Sequence, residues 1–310
     1  MSKVLITGSN GFVGHYLASY LQKHEYDIVY TFRDIPEYAQ CIQPSFAIGN
    51  IDSNTQWQPA LENVNTVVHL AARVHVMKET LTDPLSEFRK VNTEGTLNLA
   101  RQALEAGVKR FVYLSSIKVN GEYTDAVPFS ADDPPHPQDP YAISKYEAEQ
   151  LLLELGHKTD LEIVIIRPPL IYGPGVKGNF RRLINLIKKN IPLPLAGIYN
   201  ARSLVSIQNL CSLIEVCLYH PHAANEIFLV SDGNDLSTSE LLEQLTEVMK
   251  KKNHLFYVPV FLVKIVTNLL GRSSEFERLF GSLQVDISKN KQLLNWQPLE
   301  SVQTALGKCI

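Results

Sequence analysis

The 310-residue chain holds only four cysteines, Cys41, Cys211, Cys217 and Cys309, and no two of them form a C-x-x-C pair. With Met1-Ser2-Lys3 running straight into strand-like sequence and no secretory leader, a reducing cytoplasm is the expected setting. Excess charge of either sign is also missing. A net charge of -3 gives no basic footprint for nucleic acid or anionic lipid, although local positive sites for a phosphorylated small molecule are compatible with it. No long apolar run is present, since residues 258–270 are too short to cross a bilayer and are interrupted by Lys264. Tandem repeats and low-complexity tracts are absent too. What remains, at 45% hydrophobic and 20% charged, is an ordinary globular chain with enough apolar sequence for one large core and a smaller lobe.

The most informative stretch is TGSNGFVG, Thr7 to Gly14, which follows the apolar run Val4, Leu5, Ile6. Glycines at 8, 11 and 14 let a backbone turn sharply and approach a pyrophosphate, whose charge sits at the positive end of the following helix. Phe12, Val13, Leu17, Tyr20 and Leu21 recur behind them at helical spacing. This is a strand, turn and helix suited to a dinucleotide, with Gly8, Asn10, Gly11, Phe12, Val13 and Gly14 as its cofactor-binding residues.

A second strand is expected at residues 28–32, and its end is where such folds choose between an acid for a free ribose hydroxyl and a cation for a 2′-phosphate. Phe32-Arg33-Asp34 stands there. Arg33 can pair with a 2′-phosphate and stack on adenine, whereas Asp34 would suit NAD. Arg33, and so NADP(H), is favoured because Phe32 fills the last strand position and leaves Asp34 in the loop; NAD(H) stays open. A third short strand at 46–48 precedes Asn50 and Ile51, which could edge the adenine. A fourth at 66–70 ends in Leu70, Ala71 and Ala72, where small residues admit a ligand. Residues 73–84 read as a loop on the ligand side, with His75 more simply a solvated histidine than an acid or base. One helix is expected over residues 85–106, containing Asn92 and stopped by Gly107.

The fifth strand, 110–114, runs into Ser115-Ser116-Ile117-Lys118-Val119-Asn120-Gly121, and a proline-rich loop leads to Tyr141-Ala142-Ile143-Ser144-Lys145 on a helix reaching about residue 155. Tyr141 and Lys145 stand four apart, one turn on one helix face. An ammonium beside a phenol favours phenolate, so the tyrosine could move a proton at neutral pH, and a serine at a neighbouring strand end could donate to the same substrate oxygen. Alone, Y-x-x-x-K is commonplace. Together with the glycine turn and the serine pair it points to catalysis.

These motifs together resemble the extended short-chain dehydrogenase/reductase family, particularly its nucleotide-sugar epimerase, dehydratase and reductase branch. TGSNGFVG is similar to that family's TGxxGFxG, Tyr141 and Lys145 to its YxxxK, and Ser116 falls where its catalytic Ser/Thr is expected. RPPLIYGPG (167–175), GNF (178–180), RSLV (202–205) and the pair Asn295 and Trp296 also look like that branch. The resemblance implies an α/β Rossmann-type doubly wound parallel sheet with a smaller C-terminal substrate lobe. It implies Tyr141 as acid/base, Lys145 lowering its pKa and binding the nicotinamide ribose, Ser116 orienting the reacting oxygen, and Asn92 supporting the site. Pro168 joins the cofactor contacts. Arg202 matches the family's diphosphate contact, and Arg278 matches a late arginine more loosely. Lys118, Arg73 and Asn179 could reach substrate, a surface role being equally open to Lys118 and Arg73.

In the second half, residues 161–167 read as a sixth strand, with Pro168-Pro169 barring a helix immediately after it. The change of character from residue 174 marks the start of the smaller lobe. A helix is expected at 179–189, with Arg181, Arg182, Lys188 and Lys189 on its solvated face. Another at 207–219 carries Cys211 and Cys217 as apolar filler. A strand at 226–230 should rejoin the sheet. Ser237-Thr238-Ser239-Glu240 signals a capped helix to about residue 251. The expected layout is a dinucleotide-binding domain over 1–172, rejoined by about 203–232, with 173–202 and 233–310 forming a nucleotide-sugar lobe. The helices at 85–106 and 141–155 would suit a homodimer contact, as in the family.

The expected activity is NADP-linked reduction of a UDP-activated 4-keto sugar, an N-acetylated 6-deoxyhexosamine for surface polysaccharide; SSIKVNG resembles the quinovosamine-type reductases. The runner-up is a UDP-hexose or UDP-N-acetylhexosamine 4-epimerase with retained NAD. A dehydratase is disfavoured because Ile117-Lys118 stand where its additional acid/base pair is wanted. A noncatalytic dinucleotide sensor is the alternative of another class. No nucleic-acid or membrane partner is expected, and no metal.

Overall fold

In the computed structural model, which describes residues 2–74, 83–252, 254–269 and 273–310, the run Val4, Leu5, Ile6 is completely buried in β1 (Lys3–Thr7) at the centre of the molecule. Its alternate side chains enter two cores. Val4 and Ile6 pack toward α1 (Phe12–Lys23), while Leu5 joins Trp57 and Leu61 from α2 (Gln58–Leu61) and its approach on the other face. Strands covered on both faces need near-continuous apolar sequence, which β2 (Asp27–Phe32), β4 (Thr66–His69), β5 (Arg110–Leu114) and β6 (Glu162–Arg167) supply. With β3 (Ser45–Ala47) and β10 (Glu226–Leu229) they form a seven-stranded parallel sheet in the order β10-β6-β5-β4-β1-β2-β3. Chain direction across the sheet reverses between β1 and β4, and that switch point opens a crevice at the carboxyl ends of the strands. The fold is the doubly wound α/β architecture.

The long helix expected over 85–106 is interrupted. It comprises α3 (Pro84–Phe88), a π-helical stretch Arg89–Glu94 and α4 (Gly95–Glu105). The wide turns carry Asn92 and Thr93 inward, where their side chains satisfy backbone groups of other segments. Gly95 lets this helix close on the loop after β3, since a Cβ there would lie 2.6 Å from Ile51 Cγ2. α5 (Pro140–Lys158) runs longer than the sequence reading, because Asp139 caps it by accepting a 2.7 Å bond from Ala142 N and Pro140 is preset for the first turn.

After β6 the chain leaves the sheet through β7 (Leu170–Tyr172), α6 (Gly178–Lys188) and β8 (Leu193–Ala196), and returns through β9 (Leu204–Ser206) and α7 (Ile207–Tyr219). Cys211 and Cys217 are fully buried in α7, as apolar filler. β7 pairs with β9 in parallel, and the strand expected to rejoin the sheet, β10, lies beside β6. The remainder comprises α8 (Thr238–Val248), β11 (Leu255–Tyr257), α9 (Val260–Leu269), α10 (Ser273–Phe280), α11 (Ser288–Leu294) and α12 (Val302–Gly307). Ser237 and Glu240 form the reciprocal cap on α8. A separate apolar cluster, including Phe180, Leu242, Leu245 and Leu306, holds α6, α8 and α12 together.

One charged pair crosses the main core. Arg167, 2% exposed at the end of β6, grips Glu149 of α5, 1% exposed, through bonds of 3.0 Å from Nε to Oε1 and 2.5 Å from Nη2 to Oε2. Its Nη1 also donates to Asn120 Oδ1 at 2.9 Å. Breaking such a pair strands a buried charge, whereas an exposed pair such as Arg89–Glu147 contributes little. Glu149→Ala is therefore expected to cost about 3–5 kcal/mol in urea denaturation, with partial recovery on adding Arg167→Met. A loss no larger than that of Glu147→Ala, expected below about 1 kcal/mol, would remove the pair from this structural role.

Candidate active site at the strand ends

The glycine turn is built around backbone contact. Gly8 has φ of 67°, and a Cβ on it would lie 3.2 Å from Ala71 N. A Cβ on Gly14 would stand 2.2 Å from Gly8 O, so only glycine lets α1 start this close to the strand end. Gly11 caps α1 without a side-chain bond, leaving the first amides of the helix, those of Phe12, Val13 and Gly14, available to an anion's oxygens. Asn10 and Gly11 are exposed at the tip of the turn. A pyrophosphate fits this cradle.

The sequence reading did not reach the polar chain that fixes the turn. Thr7 Oγ1 accepts from Leu70 N at 2.9 Å and Ala71 N at 3.0 Å, and lies 2.8 Å from His69 Nδ1. His69 Nε2 is 3.0 Å from Thr96 Oγ1. Burial pushes the His69 imidazole down to about 3, with nearby Lys145 acting in the same sense, so the ring stays neutral and links β1, β4 and α4. A polar residue closing the otherwise apolar run TVVH was the available signal.

Ser116, Tyr141 and Lys145 gather around the end of β5. Ser116 follows this strand and heads a short 3₁₀ turn, Ile117–Val119, whose first N–H donates to Pro168 O at 3.0 Å. The Ser116 hydroxyl lies close enough to the Tyr141 phenol to pull its pKa downward. One turn along α5, Lys145 is buried and its Nζ donates to Leu114 O at 2.8 Å, 4.4 Å from the centroid of the Tyr113 ring. Asn92 ties the loop after β4 to α5, accepting from Arg73 N at 2.8 Å and donating to Ser144 Oγ at 3.0 Å.

The electrostatics differ from the simple expectation that Lys145 brings the phenol down. Burial and the nearby Asp139 carboxylate push Tyr141 up to about 12, against a downward pull from the Ser116 hydroxyl. Burial pulls Lys145 down to about 7, opposed by the Glu149 carboxylate one turn further along. The ammonium faces Leu114 O and the Tyr113 ring.

Lys118, expected as a possible substrate contact, has its ammonium committed elsewhere. It bonds Asp139 Oδ2 at 2.6 Å and Glu122 Oε1 at 2.7 Å. Burial opposes its charge, but these two carboxylates prevail and raise its pKa. Arg33 is exposed at the end of β2 and forms no ion pair among the described residues; Asp34 beside it is exposed as well. Asn50 is exposed, and Ile51 half-buried against Gly95. Leu70, Ala71 and Ala72 are half-buried, with Ala71 against Gly8 of the glycine turn. His75 lies outside the described residues. Burial lowers the Arg202 guanidinium, the charge of Arg278 adds to that effect and Glu122 opposes it, while Arg202 Nη1 donates to Gly281 O at 2.9 Å. Arg278 therefore lies within electrostatic reach of Arg202. Asn179 is exposed at the start of α6.

Comparison with known proteins agrees with this geometry. The NAD dependent epimerase/dehydratase family profile matches residues 4–231. The chain is 46% identical over 303 residues to a UDP-glucose 4-epimerase of Vibrio cholerae, covering 97% of this chain and 92% of the relative. A GDP-6-deoxy-D-mannose reductase of Pseudomonas aeruginosa is 29% identical, covering 79% of this chain and 80% of the relative. Among solved structures, a UDP-N-acetylglucosamine 4-epimerase from Bacillus cereus superposes with a TM-score of 0.79 at 21% identity, covering 99% of this chain and 97% of that one.

A lysine whose folded pKa is depressed destabilises the fold below that pKa, and the cost fades as pH rises toward its unfolded value. For Lys145 these limits are about 7 and 10.5. Lys145→Met should therefore lose about 2 kcal/mol of stability relative to the parent between about pH 7 and about pH 9, on top of a constant offset. Paired urea titrations across that range measure it, and a difference independent of pH would contradict the depressed value.

Proposed function

Given that the chain belongs to the NAD dependent epimerase/dehydratase family, a branch of the extended short-chain dehydrogenases/reductases, we propose that it reduces the 4-keto group of a UDP-activated, N-acetylated 6-deoxyhexose with NADP(H). The observation that carries this reading is the meeting of Ser116 with Tyr141 beside the glycine turn and Lys145. When bound, the reduced nicotinamide supplies the hydride. The chain's own groups do the rest. Ser116 donates to the carbonyl oxygen and polarises it. Tyr141, held protonated by burial, gives its proton to the oxygen as it becomes an alkoxide. Lys145, on the same helix face, binds the nicotinamide ribose and replenishes the phenol proton.

The cradle of Gly8, Asn10, Gly11, Phe12, Val13 and Gly14 would hold the pyrophosphate, with Leu70, Ala71, Ala72, Asn92 and Pro168 along the cofactor and Asn50 and Ile51 at the adenine. The exposed Arg33 guanidinium supports NADP(H), because it can pair with a 2′-phosphate. Arg202 and Arg278 would take the substrate diphosphate, and residues 173–202 and 233–310 form the lobe that holds the sugar nucleotide. We propose a homodimer through α4 and α5.

A second reading, 4-epimerisation of a UDP-hexose with retained NAD, is favoured by the Vibrio cholerae relative. Purified protein given a UDP-4-keto-6-deoxy sugar should consume NADPH stoichiometrically. Interconversion of UDP-GlcNAc and UDP-GalNAc with no added cofactor, and no NADPH consumption, would replace reduction by epimerisation.

Tyr141→Phe should lower turnover by at least about a hundredfold while NADPH binding, followed by fluorescence, is kept; near-parental turnover would reject the phenol as proton donor. Arg202→Ala should raise KM about tenfold or more with a smaller change in kcat.

A further inference from the structure

The chain keeps one large apolar face in water. From β11 into α9, Phe256, Tyr257, Phe261, Ile265 and Leu269 are 46%, 66%, 63%, 52% and 82% exposed. Phe261, Ile265 and Leu269 follow each other at intervals of four, so they form one stripe along α9, and the exposed Leu262 widens it. The helix packs on α10, with Lys264 Nζ 5.8 Å from the Phe276 ring centroid, and leaves the stripe exposed beside that contact. Contiguous exposed apolar surface of this kind marks an interaction site.

Charge identifies the partner. Between Glu247 and Glu275 the sequence has no Asp or Glu, yet it carries Lys250, Lys251, Lys252, His254 and Lys264. Lys250, Lys251 and Lys252 are exposed, just ahead of β11. β11 pairs in parallel with β8, Leu255 opposite Leu193, and Leu193 N donates to His254 O at 3.1 Å. The segment entering β8, with exposed Lys188, Lys189 and Ile191, therefore comes in from the same end as the three lysines. A net charge of -3 for the whole chain hides this local excess of positive charge.

We propose that α9, β11 and the adjoining lysines form a docking surface for an anionic phospholipid bilayer. The Phe261, Leu262, Ile265 and Leu269 side chains enter the boundary between headgroups and acyl chains, and the lysines pair with lipid phosphates. α9 lies in the plane of the interface: its ten residues reach about 15 Å, half the apolar thickness of a bilayer. No helix among the described residues is long and apolar enough to cross a membrane. A second copy is the weaker occupant, because its own version of this face, with no Asp or Glu between Glu247 and Glu275, brings no carboxylate to meet the lysines.

The test uses the full chain and vesicles of phosphatidylglycerol with phosphatidylethanolamine, against vesicles of phosphatidylcholine alone, in a sedimentation assay. Binding is expected to the anionic vesicles only and to weaken with salt. It should fall about tenfold or more in Phe261→Glu/Ile265→Glu, and likewise in Lys250→Glu/Lys251→Glu/Lys252→Glu. Melting temperatures of both variants should match the parent, because the altered side chains are exposed. Absence of parental binding to anionic vesicles, or binding that neither variant weakens, would overturn the proposal. So would sedimentation velocity showing a dimer that Phe261→Glu/Ile265→Glu dissociates, with no vesicle binding, and that result would assign the face to a second copy.

Discussion

A carboxylate sealed from water, Glu149, and the guanidinium that grips it, Arg167, set the position of the helix on which the candidate chemistry stands. Neither charge is tolerable in that core without the other, so α5 cannot rotate or slide against β6 without a large penalty. Tyr141, Lys145 and Glu149 follow at intervals of four, and fixing the third orients the other two. The bond from Arg167 to Asn120 extends the constraint to the turn that begins at Ser116. The meeting of serine and phenol at the strand end thus rests on an ion pair two helical turns away from the phenol.

A second polar system works from the opposite side of the crevice. Thr7, His69 and Thr96 connect the strand ends beneath the glycine turn, and the imidazole remains neutral. A charged ring there would add a second cation beside Lys145, which already sits depressed in a dry environment. The two networks divide the labour. The neutral one shapes the dinucleotide cradle, and the charged one places the groups that would handle protons.

Much of this was readable in the sequence because it depends on local pattern. The glycine turn, the strand boundaries at 110–114, the helix over 207–219 and the Ser237–Glu240 cap each follow from neighbouring residues. What escaped depends on partners far away in the chain. Lys118 looked able to reach substrate, yet Asp139, 21 positions later, holds its ammonium. The helix over 85–106 looked continuous, but Asn92 and Thr93 bond to Arg73 and Ser144 and are turned inward through a π-helical stretch. Arg167 and Glu149 stand 18 positions apart in the chain, and only tertiary packing makes them one pair. The apolar run over 258–270 was legible as too short to span a bilayer, but the exposure of α9 was not, since periodicity cannot say which neighbours a helix lacks.

Proton placement bears on the direction of the proposed reaction. An epimerase must first take a proton from a sugar hydroxyl, which asks the tyrosine to be a base; a ketoreductase needs it as an acid. The phenol near Asp139 is held firmly protonated, and the lysine one turn below is poised near neutrality. A proton can pass from such a phenol to a forming alkoxide without prior ionisation, and the nearby ammonium, close to its own midpoint, is able to restore it. On electrostatic grounds the phenol stands ready to give its proton to a forming alkoxide, the step that reduction of a carbonyl and the second half of an epimerisation have in common.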